Sequence, residues 1–144
     1  MEAGHAFMNV VGGSSAPAIG RGNIPVIDPS DGQEFATLAR GGSEDVDAGV
    51  LAARRAYGTV WRNTPAVERG RFLTRLSARI LERHAGLAEL ECRDTGKPIH
   101  QAKTDITACA RYFEFYGGAA DKPQGETIRM RRDLRSLRCA SRMG

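Results

Sequence analysis

The 144-residue chain has only three cysteines, Cys92, Cys109 and Cys139, standing far apart with no CxxC pair and no Cys/His ligand spacing. Zinc sites and disulfide frameworks both need such clustering, so neither is indicated, and reduced thiols in a cytoplasmic setting are expected. Nowhere do eighteen apolar residues follow one another, and the opening MEAGHAFMNVVGGSSAPAIG has neither a basic leader nor a long apolar run. Membrane insertion and export are therefore not expected. Internal repeats are missing, and so is a glycine-rich loop of the kind that cradles phosphate ahead of a helix; Gly41-Gly42 before Ser43 is a short, weak version.

What is present is uneven. Hydrophobic residues make up 41% of the chain, a little under the usual globular share, which allows one modest core. The formal charge of +4 is a property of the end of the chain. Arg129, Arg131, Arg132, Arg135, Arg138 and Arg142 against Asp133 give the last sixteen residues +5, leaving the first 128 at −1. A nucleic-acid partner would need a basic face on the folded part, and none is visible there.

Three stretches follow from this patterning: an arm at 1–22, a folded region at 23–128, and a basic tail at 129–144 without turn signals or apolar alternation. The arm is rich in Gly, Ala and Ser and reads as a loose segment or a weak first strand around Met8 to Val11. Val26 and Ile27, then Asp28-Pro29-Ser30-Asp31-Gly32, then Phe35, Thr37 and Leu38 predict a β-hairpin. Pro29 presets a turn φ, and Gly32 supplies a positive one without steric cost.

Ser43 as a cap, with Glu44 and Asp45 behind it, opens a predicted helix carrying Val46, Val50, Ala53, Tyr57 and Trp61 on one face. Thr64-Pro65 opens a second, long helix, whose stripe of Phe72, Leu73, Leu76, Ile80, Leu87 and Leu90 runs to a stop at Gly96 and Pro98. Gly86 weakens it by up to about 1 kcal/mol. A third helix sets Ala102, Ile106, Cys109, Phe113 and Tyr116 on one face before Gly117-Gly118. A hairpin plus three amphipathic helices follows, an incomplete α/β fold. A two-stranded hairpin is marginal by itself, so more sheet is expected around it.

DPSDGQEFATLARGGSEDVDAGVLAARRAYGTVW resembles the hairpin and first helix of the NAD(P)-dependent aldehyde dehydrogenase superfamily. TPAVERGRFLTRLSARILERHAGLAELECRDTGKP is similar to that family's long second helix with its Glu-x-x-Asp-x-Gly-Lys-Pro ending, here Glu91, Asp94, Gly96, Lys97 and Pro98. ARYFEFYGGAADKPQGETI resembles its aromatic segment. The resemblance covers about residues 24–128 in the right order, with Asp28 where the family has asparagine. It gives way at Ile128 to the arginine-rich tail, which reads as unstructured or as the product of a shifted reading frame.

The resemblance implies a parent enzyme that oxidises an aldehyde to an acid with NAD or NADP. A cysteine thiolate attacks the carbonyl, amides hold the oxyanion, hydride passes to nicotinamide, and a glutamate-activated water frees the acid. It also implies a homo-oligomer. The Phe-Thr-Gly-Ser, Glu-Leu-Gly-Gly and Gly-Gln-x-Cys segments that carry this chemistry do not occur in these 144 residues. Accordingly no catalytic or cofactor-binding residue is assigned, no cofactor is expected to bind this stretch, and it is expected to be inactive alone.

By the same resemblance, main-chain oxygens of Val26 or Ile27, together with Asp94, would hold a structural monovalent cation, with a further ligand from outside this stretch; hard cations favour such oxygens. The other role for Asp94, and the expected one in this stretch alone, is to accept backbone N–H groups in the DTGK turn. The resemblance sets Asp105 near the substrate entrance, with Phe113 and Tyr116 behind it; all three also read as ordinary core or surface residues. Cys109 reads as a buried small hydrophobe, Cys92 as an inert thiol, Lys97 as a solvated cation near a helix end, His84 and His100 as solvated, and His5 as an arm residue with no partner to suggest a role. A second functional reading is a non-enzymatic helical module that docks its apolar stripes on a partner or a full-length relative. A nucleic-acid binder using the arginine tail ranks below both.

Overall fold

The computed structural model describes residues 5–123, together with the backbone of two strands at Glu126–Arg129 and Arg135–Arg138. Five short strands come first: β1 (His5–Phe7), β2 (Asn9–Val11), β3 (Ser14–Ala16), β4 (Asn23–Ile27) and β5 (Glu34–Ala39). Four helices follow, α1 (Ser43–Thr59), α2 (Ala66–Glu82), α3 (His84–Thr95) and α4 (Ile99–Ala119), with a 3-10 turn at Trp61–Asn63, and then β6 (Glu126–Arg129) and β7 (Arg135–Arg138).

The hairpin forms as its sequence requires. β4 and β5 pair antiparallel, with Val26 opposite Ala36 and a bulge between Val26 and Ile27. In the turn, Gly32 takes φ +71, and the Asp28 carboxylate accepts the Ser30 N–H at 3.0 Å and the Ser30 hydroxyl at 2.6 Å. Asp31 accepts the Gln33 N–H at 2.9 Å, so two aspartates close the turn from within. β1 adds a third strand, parallel to β5, in the order β1-β5-β4. The stretch that reads as a loose segment or a weak first strand therefore carries three strands: β1 extends the sheet, and β2, at the expected apolar patch, forms a hairpin with β3. Residues 1–4 of that arm lie outside the described residues.

The helices depart from the expected set in several ways; first, α1 ends at Thr59, so Trp61, expected on its face, lies in the 3-10 turn after it. The long second helix is two, because Arg83 (φ −104, ψ 14) breaks the run between α2 and α3; Gly86 lies inside α3. At α1 the cap residue is Gly42, and Asp45 reaches back to accept the Gly42 N–H at 2.8 Å while also accepting the Ile19 N–H at 3.0 Å, so Ser43 is the first helical residue. Pro65 likewise caps α2, one position outside it. Finally, α4 runs through Gly117-Gly118 to Ala119.

That extension accompanies a close crossing of α2 and α4. A Cβ on Gly70 would collide with the Gly117 carbonyl oxygen, and one on Gly117 would lie 2.7 Å from the Thr74 hydroxyl. The residues buried at the crossing are accordingly small: Gly70 and Ser77 on α2, Ala102 and Ala110 on α4. The inward face of α4 thus runs through Ala110 and Gly117. Cys109, expected to be buried, is exposed, and Tyr116 is 59% exposed.

The core is small. Phe35, Ala18, Ala36, Ala88, Ala102 and Ala110 are its buried apolar residues among those described, and no large side chain is completely enclosed. Helix α1 buries none of its residues. Its expected inner stripe points outward, with Val46 62% exposed and Val50, Leu51 and Tyr57 exposed as well. Asp45, Ala48, Gly49 and Ala52, on the other side, are the half-buried positions. Trp61 and Phe72, 6.2 Å apart, extend this uncovered apolar surface onto α2. The tail, read as unstructured, holds β7, which pairs antiparallel with β6, Thr127 opposite Leu137.

Candidate functional site

Asp94, Gly96 and Lys97 lie where the end of α3 meets the β4–β5 turn. Gly96 ends α3 in the left-handed conformation (φ 73, ψ 7), its N–H donating to the Cys92 carbonyl at 2.9 Å. With no Cβ there, the ring of Pro29 can sit against it; an added Cβ would lie 2.9 Å from Pro29 Cγ. Arg93 completes the junction. Its guanidinium lies 4.3 Å above the Phe35 ring, and its Nε donates to Asp28 Oδ2 at 3.3 Å. The two Ser30 hydrogen bonds, first the hydroxyl and then the N–H, hold the Asp28 carboxyl below its ordinary value of 3.8, and Arg93 adds to them.

On the far side of Gly96, Lys97 joins α3 to α4. Its ammonium donates to Glu91 Oε1 at 2.6 Å and to Asp105 Oδ2 at 2.9 Å. Those hydrogen bonds, the one to Glu91 first, raise the Lys97 pKa above its ordinary 10.5. Lys97 is therefore a paired, part-buried cation and not a solvated one, and Asp105 is held by it. Cys92 donates its thiol to the Lys97 carbonyl at 3.0 Å, a structural use of the sulfur. His84 is likewise not partnerless. Its Nε2 lies 2.9 Å from the Lys103 carbonyl and 3.0 Å from the Thr107 hydroxyl, tying the start of α3 to α4. A carbonyl only accepts, so Nε2 carries the proton.

The apolar side of the junction is a groove of about 320 Å³ between the sheet and helices α3 and α4. Val26, Phe35 and Leu38 line it from the sheet, Leu87, Leu90 and Ile106 from the helices, and Glu91 and Asp94 also border it. Two of the residues assigned to the cation site, Val26 and Asp94, thus meet at one place, while Ile27 beside them is 45% exposed. Among the described residues no three His, Cys, Asp or Glu side chains gather as a metal site. A cation here would have to rest on main-chain oxygens and Asp94, as the donor set allows. Cys92 and Cys109 are free thiols, and Cys139 lies outside the described residues. Phe113 is half-buried on α4, and Phe115 and Tyr116 stack edge-to-face at 5.3 Å on its exposed side.

Sequence reasoning passed over Arg93, the contacts of His84 and the pairing of Lys97. The partners of these residues lie on other elements, at separations that no helical or strand period marks. The DTGKP wording was the one available signal, because a glycine C-cap followed by proline fixes where Lys97 must lie.

The family model for the aldehyde dehydrogenase family matches residues 17–141. The chain belongs to the aldehyde dehydrogenase family. The match runs past Ile128, where the resemblance in wording ends, and takes in the β6–β7 pair. Betaine aldehyde dehydrogenase of Bacillus subtilis (strain 168) is 38% identical over 104 residues, covering 72% of this chain and 21% of that protein. Among solved structures, PnpE in complex with nicotinamide adenine dinucleotide superposes with a TM-score of 0.82 at 36% identity, covering 88% of this chain and 26% of that one. A mutant aldehyde dehydrogenase from Bacillus cereus does so with a TM-score of 0.86 at 30% identity, covering 92% and 28%. The chain therefore spans about a fifth to somewhat over a quarter of the aldehyde dehydrogenases it matches. Among the described residues no helix is long and apolar enough to cross a membrane.

Proposed function

We propose that this chain supplies a front structural layer of an aldehyde dehydrogenase, an oxidoreductase that converts an aldehyde to a carboxylic acid with NAD or NADP, and that the 144 residues do not turn over substrate alone. The observation that carries the reading is the family match over 17–141 joined to an apolar α1 face that the described residues leave uncovered. In this reading the layer braces the hairpin, α3 and α4 around the Gly96 junction. Lys97 holds Asp105, the residue assigned to the substrate entrance, and Val26, Ile27 and Asp94 offer oxygens to a monovalent cation. The assembled enzyme is a cytoplasmic homo-oligomer, and the nicotinamide cofactor supplies the hydride acceptor; no residue of this chain is assigned to hold it. Membrane and nucleic-acid partners form no part of this reading.

The test is to purify the chain and supply it with NAD+ or NADP+ and a panel of short aliphatic, aromatic and betaine aldehydes, following nicotinamide reduction. No turnover is expected, and cofactor-dependent oxidation would overturn the assignment of a scaffold role. The uncovered α1 face also favours the second reading, a helical module docked on a full-length relative. Light scattering separates the two. Concentration-dependent aggregation of the lone chain supports the layer reading, whereas a defined complex on mixing with a full-length relative supports the module.

A further inference from the structure

We draw no further inference here: the strongest candidate, the apolar groove of about 320 Å³ between the β1-β5-β4 sheet and helices α3 and α4, opens onto surface that the chain leaves bare, and nothing in the structure shows what covers it.

Discussion

Replacing Gly96 by alanine tests the junction that organises every residue of the candidate site. The new Cβ meets two obstacles of different origin. One is local: φ is +73, where an L-residue costs roughly 1–2 kcal/mol more than glycine, partly offset by the lower entropy of the unfolded alanine chain. The other is tertiary: the Cβ would lie 2.9 Å from Pro29 Cγ, and overpacking of that kind costs about 1–3 kcal/mol. The expected net loss for Gly96→Ala is about 2–3 kcal/mol, read as a fall in the urea midpoint at unchanged slope. Pro29→Ala removes Cγ and leaves a contact of ordinary length, so in that background Gly96→Ala should cost only the local share, about 1 kcal/mol. The cycle isolates a coupling of roughly 1–2 kcal/mol between hairpin and helix end. Gly86→Ala is the control. A Cβ there meets nothing within 4 Å inside α3, so it should stabilise by up to about 1 kcal/mol. Additive effects of the Pro29 and Gly96 substitutions would refute the docking of the turn on α3, and a stabilising Gly96→Ala would refute the left-handed cap as well.

Gly70→Ala should destabilise by about 2 kcal/mol or more by forcing α2 away from Gly117, and a neutral result in thermal melts would refute the close crossing. Stability should also depend on pH at two edges. Asp28 has a lowered pKa in the folded chain, so its contribution is present above 3.8 and fades as pH falls through and below that value. Lys97 has a raised one, so its contribution is present below 10.5 and fades as pH rises through and beyond it. Asp28→Asn should flatten the acid edge and Lys97→Met the alkaline edge in urea titrations across pH, and unchanged edges would refute the pairings. On α1, Val46→Lys should leave stability within about 0.5 kcal/mol, because the side chain is 62% exposed, while lowering binding of an apolar dye. A loss above 1 kcal/mol would mean that the face is covered.

Local rules carried much of the fold. The Asp-Pro-Ser-Asp-Gly turn and the Gly96 stop are legible because each rests on neighbours in the chain; of the stripe Phe72, Leu73, Leu76, Ile80, Leu87 and Leu90, Leu73, Ile80, Leu87 and Leu90 are half-buried, while Phe72 and Leu76 are exposed. What was not legible depends on contacts between elements. The stripe drawn through Cys109 and Tyr116 missed because the α2–α4 crossing selects the smallest residues and not the most apolar, so Ala110 and Gly117 turn inward. The break at Arg83 carries no proline or glycine to announce it. β1 joins β5 through a parallel pairing across nearly thirty residues, which no local pattern in the arm encodes. At the site, the aspartate, glycine and lysine of the DTGKP turn could be named from the sequence, but the Lys97 contact with Asp105 needed the geometry.

The same division explains why α1 is the informative element. Its sequence obeys the rule for an amphipathic helix, yet the apolar face Val46, Val50, Tyr57 lies outward while alanines and a glycine turn toward the β2–β3 hairpin. A helix gains most of its stability from burying its apolar stripe and little from propensity. An α1 that buries none of its residues therefore has its main source of stability still unused among the described residues. Where the sheet, α3 and α4 meet near Gly96, Asp28, Arg93 and Lys97 are held by ion pairs and hydrogen bonds. Open apolar surface lies on α1, at the Trp61–Phe72 contact, along the groove beside the sheet and at Tyr112, Phe115 and Tyr116 of α4. That division is what a structural layer of a larger aldehyde dehydrogenase requires: an ordered junction around Gly96 and a broad apolar surface available for burial against further protein.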